Sequence, residues 1–232
     1  MINREIKFYI TRHGETLFNI LNRSQGWCDT PLTPKGEADT RMLADGLRNV
    51  KFIAAYSSDS GRAVETARII LDGNRYPTEL RQDKRLREWC FGSLEGISNK
   101  EFKQTLLQEL GTGIEMKALN ERLPEIPAVL VRADQTGWAE DFEGISGRLK
   151  AALEEIGEAA LEKGGGNVLI ISHAFAIKTM IYLFDRSRMA EIEKIRNASI
   201  TTAIWQDGVF HVEDVNNTGY FEQGGFTSSP SR

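Results

Sequence analysis

Ile6-Lys7-Phe8-Tyr9-Ile10-Thr11 runs directly into Arg12-His13-Gly14. The apolar alternation predicts a buried or half-buried strand. The Arg-His pair then stands just past its carboxyl end, where open α/β sheets bind their ligands. A histidine flanked by arginine, with a glycine giving the backbone room to turn, outlines a phosphate site, although so short a motif recurs by chance. A second run, Val168-Leu169-Ile170-Ile171-Ser172, ends in the same way at His173. That repeated placement raises the pair above coincidence.

Outward from these two strands the chain alternates strand and helix, which predicts an α/β fold with a mainly parallel sheet. A polar loop through Asn22-Arg23-Ser24-Gln25-Gly26-Trp27 is followed by Thr33-Pro34, an N-cap and a first-turn proline that open a helix. Phe52 to Ser58 reads as a second strand, about Gly61 to Leu71 as a helix, and Thr78 to Leu80 as a short strand. Residues from about Asn99 to Asp141 break the alternation. They read as helical pieces interrupted by Gly111-Thr112-Gly113, Pro124 and Pro127, an insertion covering one edge of the core. Ile145, Leu149, Leu153 and Ile156 recur at helical spacing, and Gly164-Gly165-Gly166 stops that helix rather than cradling a phosphate, since no Gly-Lys-Ser/Thr follows. A helix from about Ala174 to Phe184 comes next. Gln206-Asp207-Gly208 between two further strands signals a hairpin at the sheet edge. Residues 1–223 are expected to form a single domain, and residues 224–232 a disordered tail.

Three strands thus end in groups suited to an anion: Arg12 with His13, Ser58 with Arg62 four residues on, and His173. If the strands are parallel and adjacent, two guanidinium groups and two imidazoles converge, and a phosphate dianion is the natural guest. Glu88 beside Trp89 and Phe91 supplies an acid whose burial would favour its protonated form, with Glu15 and Glu95 as rivals. Trp27, Trp89, Phe91 and Trp138 are candidates for pocket walls or for core. Cys90 beside Glu88 has no histidine close in sequence and reads as structural. The three histidines, 13, 173 and 211, show no metal-ligand spacing, and His211 in the hairpin reads as structural.

Taken together these residues resemble the histidine phosphatase superfamily, also called phosphoglycerate mutase-like. The matching blocks, in the family's order, begin with Arg12-His13-Gly14-Glu15-Thr16 and Asn19. Gly26-Trp27, Asp29, Pro31-Leu32-Thr33 and Gly36 follow, then Tyr56-Ser57-Ser58 with Arg62-Ala63, Glu65-Thr66-Ala67. Leu86-Arg87-Glu88 with Phe91-Gly92 and Glu95-Gly96, and finally Ser172-His173-Ala174, complete the set. The resemblance implies a three-layer sandwich with helices on both faces of the sheet and a helical insertion over the active site. It further implies a phosphohistidine at His13, neutralisation of phosphate by Arg12, Arg62 and His173, and proton transfer by Glu88. Asn19, Gln25, Gly26, Ala174 and Lys100 would bind substrate, and no metal or other cofactor is required.

Within the family two activities compete. Mutases usually read Thr-Gly-Trp where this chain has Gln25-Gly26-Trp27, and they carry an adjacent arginine pair followed by a proline-rich run. Here Arg122 and Arg132 stand apart and Pro124 and Pro127 form no run, although Lys100 in Gly96-Ile97-Ser98-Asn99-Lys100 fits the mutase pattern. A phosphatase acting on small phosphomonoesters is therefore expected, with a cofactor-dependent phosphoglycerate mutase as the alternative. A non-catalytic phospho-ligand binding protein is a third possibility, disfavoured because His13 and Glu88 are both present. The net charge of −4, from 29 basic and 33 acidic residues, gives no support for nucleic acid or an anionic membrane as partner. With two cysteines, Cys28 and Cys90, no secretory signal and no apolar membrane-length run, a cytoplasmic protein with free thiols is expected. On oligomeric state the sequence is silent.

Overall fold

The computed structural model describes residues 5–112 and 118–220. Its elements begin with β1 (Ile6–Arg12), the short α1 (Leu17–Ile20), α2 (Pro34–Leu47), β2 (Phe52–Ser57), α3 (Gly61–Gly73) and β3 (Leu80–Gln82). Three helices, α4 (Asn99–Leu110), α5 (Ala118–Glu121) and α6 (Glu125–Ala133), fill the segment expected to be an insertion. The chain then runs through α7 (Phe142–Glu162), β4 (Gly166–Ser172), α8 (Ala174–Phe184), β5 (Ile200–Gln206) and β6 (Val209–Asn217). The strands form one mixed sheet in the order β3-β2-β4-β1-β5-β6. The first four strands in that order are mutually parallel, and β5 runs antiparallel to both of its neighbours.

Strand alternation produces the three layers. Phe8, Ile10, Val168 and Ile170 point to the face covered by α7 and α8, while Tyr9, Leu169 and Ile171 point to the face covered by α2 and α3. In β2 the register shifts between Phe52 and Ala54, so Phe52 joins Ala55 on the α2–α3 face instead of following Ala54. The period of α7 is the one its sequence predicts: Ile145, Leu149, Ala152, Leu153, Ile156 and Ala160 are all buried. Phe102, Leu106, Leu119, Leu123, Ile126 and Leu130 of this segment join the same hydrophobic core as the sheet.

Several local expectations shift in register or in cause. The short edge strand lies at Leu80–Gln82, not Thr78–Leu80, because the Thr78 hydroxyl bonds the Phe52 carbonyl before the ladder begins. Pro127 does not interrupt a helix. It falls in the first turn of α6, where its missing N–H leaves no hydrogen bond unmade. Gly111, with φ of 116°, ends α4, whereas Gly113 and the expected tail at 224–232 lie outside the described residues. Asp207 and Gly208, both with positive φ, form the two-residue turn between β5 and β6. Among the described residues no helix is long and apolar enough to cross a membrane.

The glycine after His13 is there for closeness, not for a turn. A Cβ on Gly14 would lie 2.7 Å from Thr40 Oγ1 and 2.9 Å from the Gly36 carbonyl oxygen. One on Gly36 would lie 2.1 Å from the Glu15 carbonyl oxygen. The loop leaving β1 is therefore pressed against the first turn of α2. Thr33 fixes it there: its hydroxyl caps Gly36 N and donates to Glu15 Oε1 at 2.8 Å. Gly36→Ala is expected to destabilise the fold by about 1–3 kcal/mol through backbone displacement, read as a lower urea midpoint at unchanged m-value.

Candidate active site

Strands β2, β4 and β1 are adjacent and end in line. Arg12 pairs with Ser172, Ser57 pairs with Ile171, and the ladder continues one step further through His13 N to Ser172 O and Ser58 N to Ile171 O, each 3.1 Å. The convergence that sequence made conditional on parallel neighbours is thereby met. His13, Arg62, Glu88 and His173 all come together there, at most 4% exposed.

His13 is held as a neutral imidazole. Its Nδ1 lies 2.8 Å from the Gly14 carbonyl, which can only accept, so Nδ1 carries the proton and Nε2 keeps its lone pair. Burial, then the charges of Arg62 and Arg12, hold the ring well below its ordinary pKa of 6.5. Arg12 sits at the cleft edge with Nη1 on the Ile195 carbonyl at 2.8 Å, while its buried Nε has no partner. Burial brings its pKa down to about 10, which leaves it charged at neutral pH.

Arg62, two residues into α3, lies beneath the cleft. Its guanidinium reaches Gly26 O at 2.7 Å, Cys28 O and Asp29 Oδ1 at 2.8 Å each, and His173 Nδ1 at 3.0 Å. Because guanidinium only donates, His173 Nδ1 must accept. Its proton is therefore on Nε2, which donates to Ser58 Oγ at 2.7 Å. The two imidazole centroids are 5.2 Å apart. In this arrangement His173 is a neutral ring that orients Arg62, not a third cation, and burial with the Arg62 charge holds its pKa well below 6.5.

Glu88 occupies the N-terminus of α8. Its carboxylate accepts from Phe175 N at 3.0 Å, Ala176 N at 2.8 Å and Trp89 N at 3.1 Å. Burial raises its pKa above the ordinary carboxyl value, against the pull of those three amides and of Arg62. The rival acids are otherwise employed. Glu15 holds Thr33. Glu95 accepts the backbone N–H groups of Gly26, Trp27, Cys28 and Phe91.

Arg12, His13, Asn19, Gln25, Glu88 and Ala174 line a cleft of about 350 Å³, together with Phe91, Phe102 and Phe175. Asn19 Oδ1 is taken by Thr16 N and by Asn197 Nδ2, so its amide N–H₂ is the end left to meet a ligand. The Gln25 side chain bonds Thr16 and Thr30, and Gly26 lies behind the wall, its carbonyl on Arg62. Lys100 does not reach the cleft; Lys103, one turn later on α4, lines it. Trp89 is fully buried and stacks on Phe175 at 4.6 Å, whereas Trp27 and Trp138 face a neighbouring cleft. Burial pushes both thiols up, Cys28 to about 12, so neither is a thiolate at neutral pH. Arg148, unmarked by any motif, donates to the carbonyls of Arg85, Arg87 and Glu88 and fixes the backbone that carries Glu88. Among the described residues no group of three or more His, Cys, Asp or Glu is arranged to hold a metal ion.

Residues 8–218 match the model of the histidine phosphatase superfamily, branch 1. A probable phosphoglycerate mutase, GpmB of Enterobacter sp. (strain 638), is 29% identical over 211 residues, covering 87% of this chain and 86% of its own. A solved structure of phosphoglycerate mutase from Bacillus anthracis is 38% identical, with a TM-score of 0.90 over 96% of this chain and 98% of that one. YhfR of Bacillus stearothermophilus is 31% identical, with a TM-score of 0.73 over 93% and 99%.

The neutral state of His13 has a consequence for stability. Its folded pKa is depressed below the unfolded 6.5, so below that pH the unfolded chain binds more protons and stability falls on acidification. Between about pH 7.5 and about pH 5.5 the wild type is expected to lose about 1.4 kcal/mol more than His13→Asn, measured by urea unfolding at both pH values.

Proposed function

We propose that this chain, which belongs to the histidine phosphatase superfamily, is a phosphatase that hydrolyses small phosphomonoesters through a phosphohistidine at His13. The observation that carries the reading is the His13 tautomer: Nδ1 tied to Gly14 O leaves Nε2 as a lone-pair nucleophile within the fields of Arg12 and Arg62. Nε2 attacks phosphorus in line with the ester oxygen, the P–O bond breaks, and protonated Glu88 gives its proton to the departing alkoxide. The Glu88 carboxylate then takes a proton from water as that water attacks phosphorus; the P–N bond breaks, phosphate leaves and Nε2 regains its lone pair, restoring neutral His13. Arg12 and the underlying Arg62 offset the charge on the transferring phosphoryl group, with Asn19 and the Ala174 amide as further donors. His173 serves by holding Arg62 and Ser58 in place. This scheme draws its charge neutralisation from arginine and requires no metal.

Hydrolysis rather than isomerisation is favoured by the cleft wall. Phe91, Phe102 and Phe175 line the cleft beside His13, an apolar stretch poorly suited to hold a second phosphate during an internal transfer. The second reading, a phosphoglycerate mutase, is favoured by the names of the relatives and by Arg23 and Lys103 at the same cleft.

Phosphate release from a panel of monoesters, beside isomerisation of 3-phosphoglycerate, separates the two. Release that falls about 10⁴-fold or more in His13→Ala supports the phosphatase; isomerisation with little free phosphate refutes it. Glu88→Gln is expected to slow alkyl phosphates about 10²–10⁴-fold and p-nitrophenyl phosphate much less, because that leaving group departs without a proton. Equal slowing of both would remove Glu88 from the acid's role.

A further inference from the structure

On the far side of Arg12 from the catalytic cleft lies a second cavity, of about 340 Å³. The two share Arg12, Ala174 and Phe175 as a common wall. Lys178, one turn into α8, lines this second cavity and is only 9% exposed. A buried ammonium is ordinarily paired with a carboxylate, yet among the described residues no ion pair includes Lys178. Its one hydrogen bond goes to the neutral Asn120 Oδ1, at 2.7 Å. Glu88 is not a close counter-ion: its charge is felt at Lys178, but no ion pair within 4 Å joins the two. Phe175 lies under the ammonium at 5.8 Å and covers one side of it.

The shared wall carries a second unspent donor. Arg12 Nε is buried without a partner, and its Nη1 alone is bound, to Ile195 O. Two cations with unused N–H groups therefore meet at one cavity. Glu193 and Lys194, both exposed, stand at its mouth with opposite charges. Burial brings the Lys178 pKa down to about 8, with Arg12 pressing the same way and Glu88 against it; at neutral pH the site remains cationic.

We propose that Arg12 and Lys178 form a second anion site, one guanidinium away from the transferring phosphoryl group, which takes a carboxylate or phosphate. The proposal rests on the phosphate being held at His13 and deepens that assignment. The anion is either the substrate's own second acidic group or a free small anion that binds beside the substrate. In both cases Lys178 determines specificity by charge and does not take part in bond breaking.

A matched pair of ligands tests this by binding alone, so the result is independent of whether the enzyme hydrolyses or isomerises. 3-Phosphoglycerate carries a carboxylate where glycerol 3-phosphate carries a hydroxymethyl group. Titrated calorimetrically into the His13→Ala protein, 3-phosphoglycerate is expected to bind about tenfold more tightly. Lys178→Gln should erase that preference while leaving glycerol 3-phosphate unchanged, and Lys178→Arg should restore it. Asn120→Ala breaks the lysine's tether without removing the charge and should keep the preference. If the anion is a free one, 3-phosphoglycerate shows no preference, and malonate binds alongside inorganic phosphate in a Lys178-dependent way. Equal weakening of both ligands by Lys178→Gln would reduce Lys178 to a structural tie. A preference untouched by Lys178→Gln, or neither ligand preference nor malonate binding in the parent, would overturn the site.

Discussion

A buried guanidinium organises this protein. Arg62 is 1% exposed, and an unpaired charge at that depth would be prohibitively unfavourable. Its partners are not a single carboxylate but two carbonyls of one loop, the Asp29 side chain and an imidazole. Satisfying that one charge therefore dictates where the 26–29 loop runs and which nitrogen of His173 is protonated. From the other side the same loop is gripped by Glu95 through the amides of Gly26, Trp27 and Cys28. Carbonyls point to the cation and amides to the anion, so the peptide dipoles of the loop lie aligned between two opposite charges.

The Glu88 carboxyl is placed by the same economy of means. Glu88 takes two of the first amides of α8, where the helix dipole favours a carboxylate, and burial opposes that stabilisation. Its backbone carbonyl is held in turn by Trp27 Nε1 and by Arg148, 2.9 Å from each. That frame fixes the backbone from which the buried Glu88 carboxyl meets the cleft. The parallel ends of β1, β2 and β4 bring His13, the helix of Arg62 and the helix N-terminus that holds Glu88 to one rim.

Much of this was legible in the order of residues. Alternation and helical spacing located five of the six strands to within about two residues, because burial of one face imposes a period that a sequence must display. The convergence of Arg12, His13, Arg62 and His173 followed from polar groups at strand ends, and Glu88 was marked by the aromatic residues beside it. What stayed hidden depends on partners distant in sequence. Arg148 is an ordinary helical arginine until its guanidinium is seen on three carbonyls some sixty residues earlier. Whether His173 is charged depends on which of its nitrogens faces Arg62. Lys103 rather than Lys100 faces the cleft because the burial of Phe102 and Leu106 sets the rotation of α4. Lys178 sits in an apolar helix with no motif around it, and that no ion pair among the described residues includes it is visible only in three dimensions.

The two margins of the sheet carry a consequence for how the protein behaves in a crowded solution. At one margin the strand Leu80–Gln82 offers only three residues of ladder. At the other, the pairing of β5 with β6 slips twice, between Ile200 and Thr202 and again between Thr202 and Ala203, and His211 and Glu213 stand outward. A foreign strand needs a long, regular row of free peptide groups to dock. Neither margin supplies one: one stops too soon and the other is buckled and polar. Molecules of this protein thus meet without a template for strand-to-strand adhesion, so a sheet rich in isoleucine and leucine stays confined to the chain that folded it.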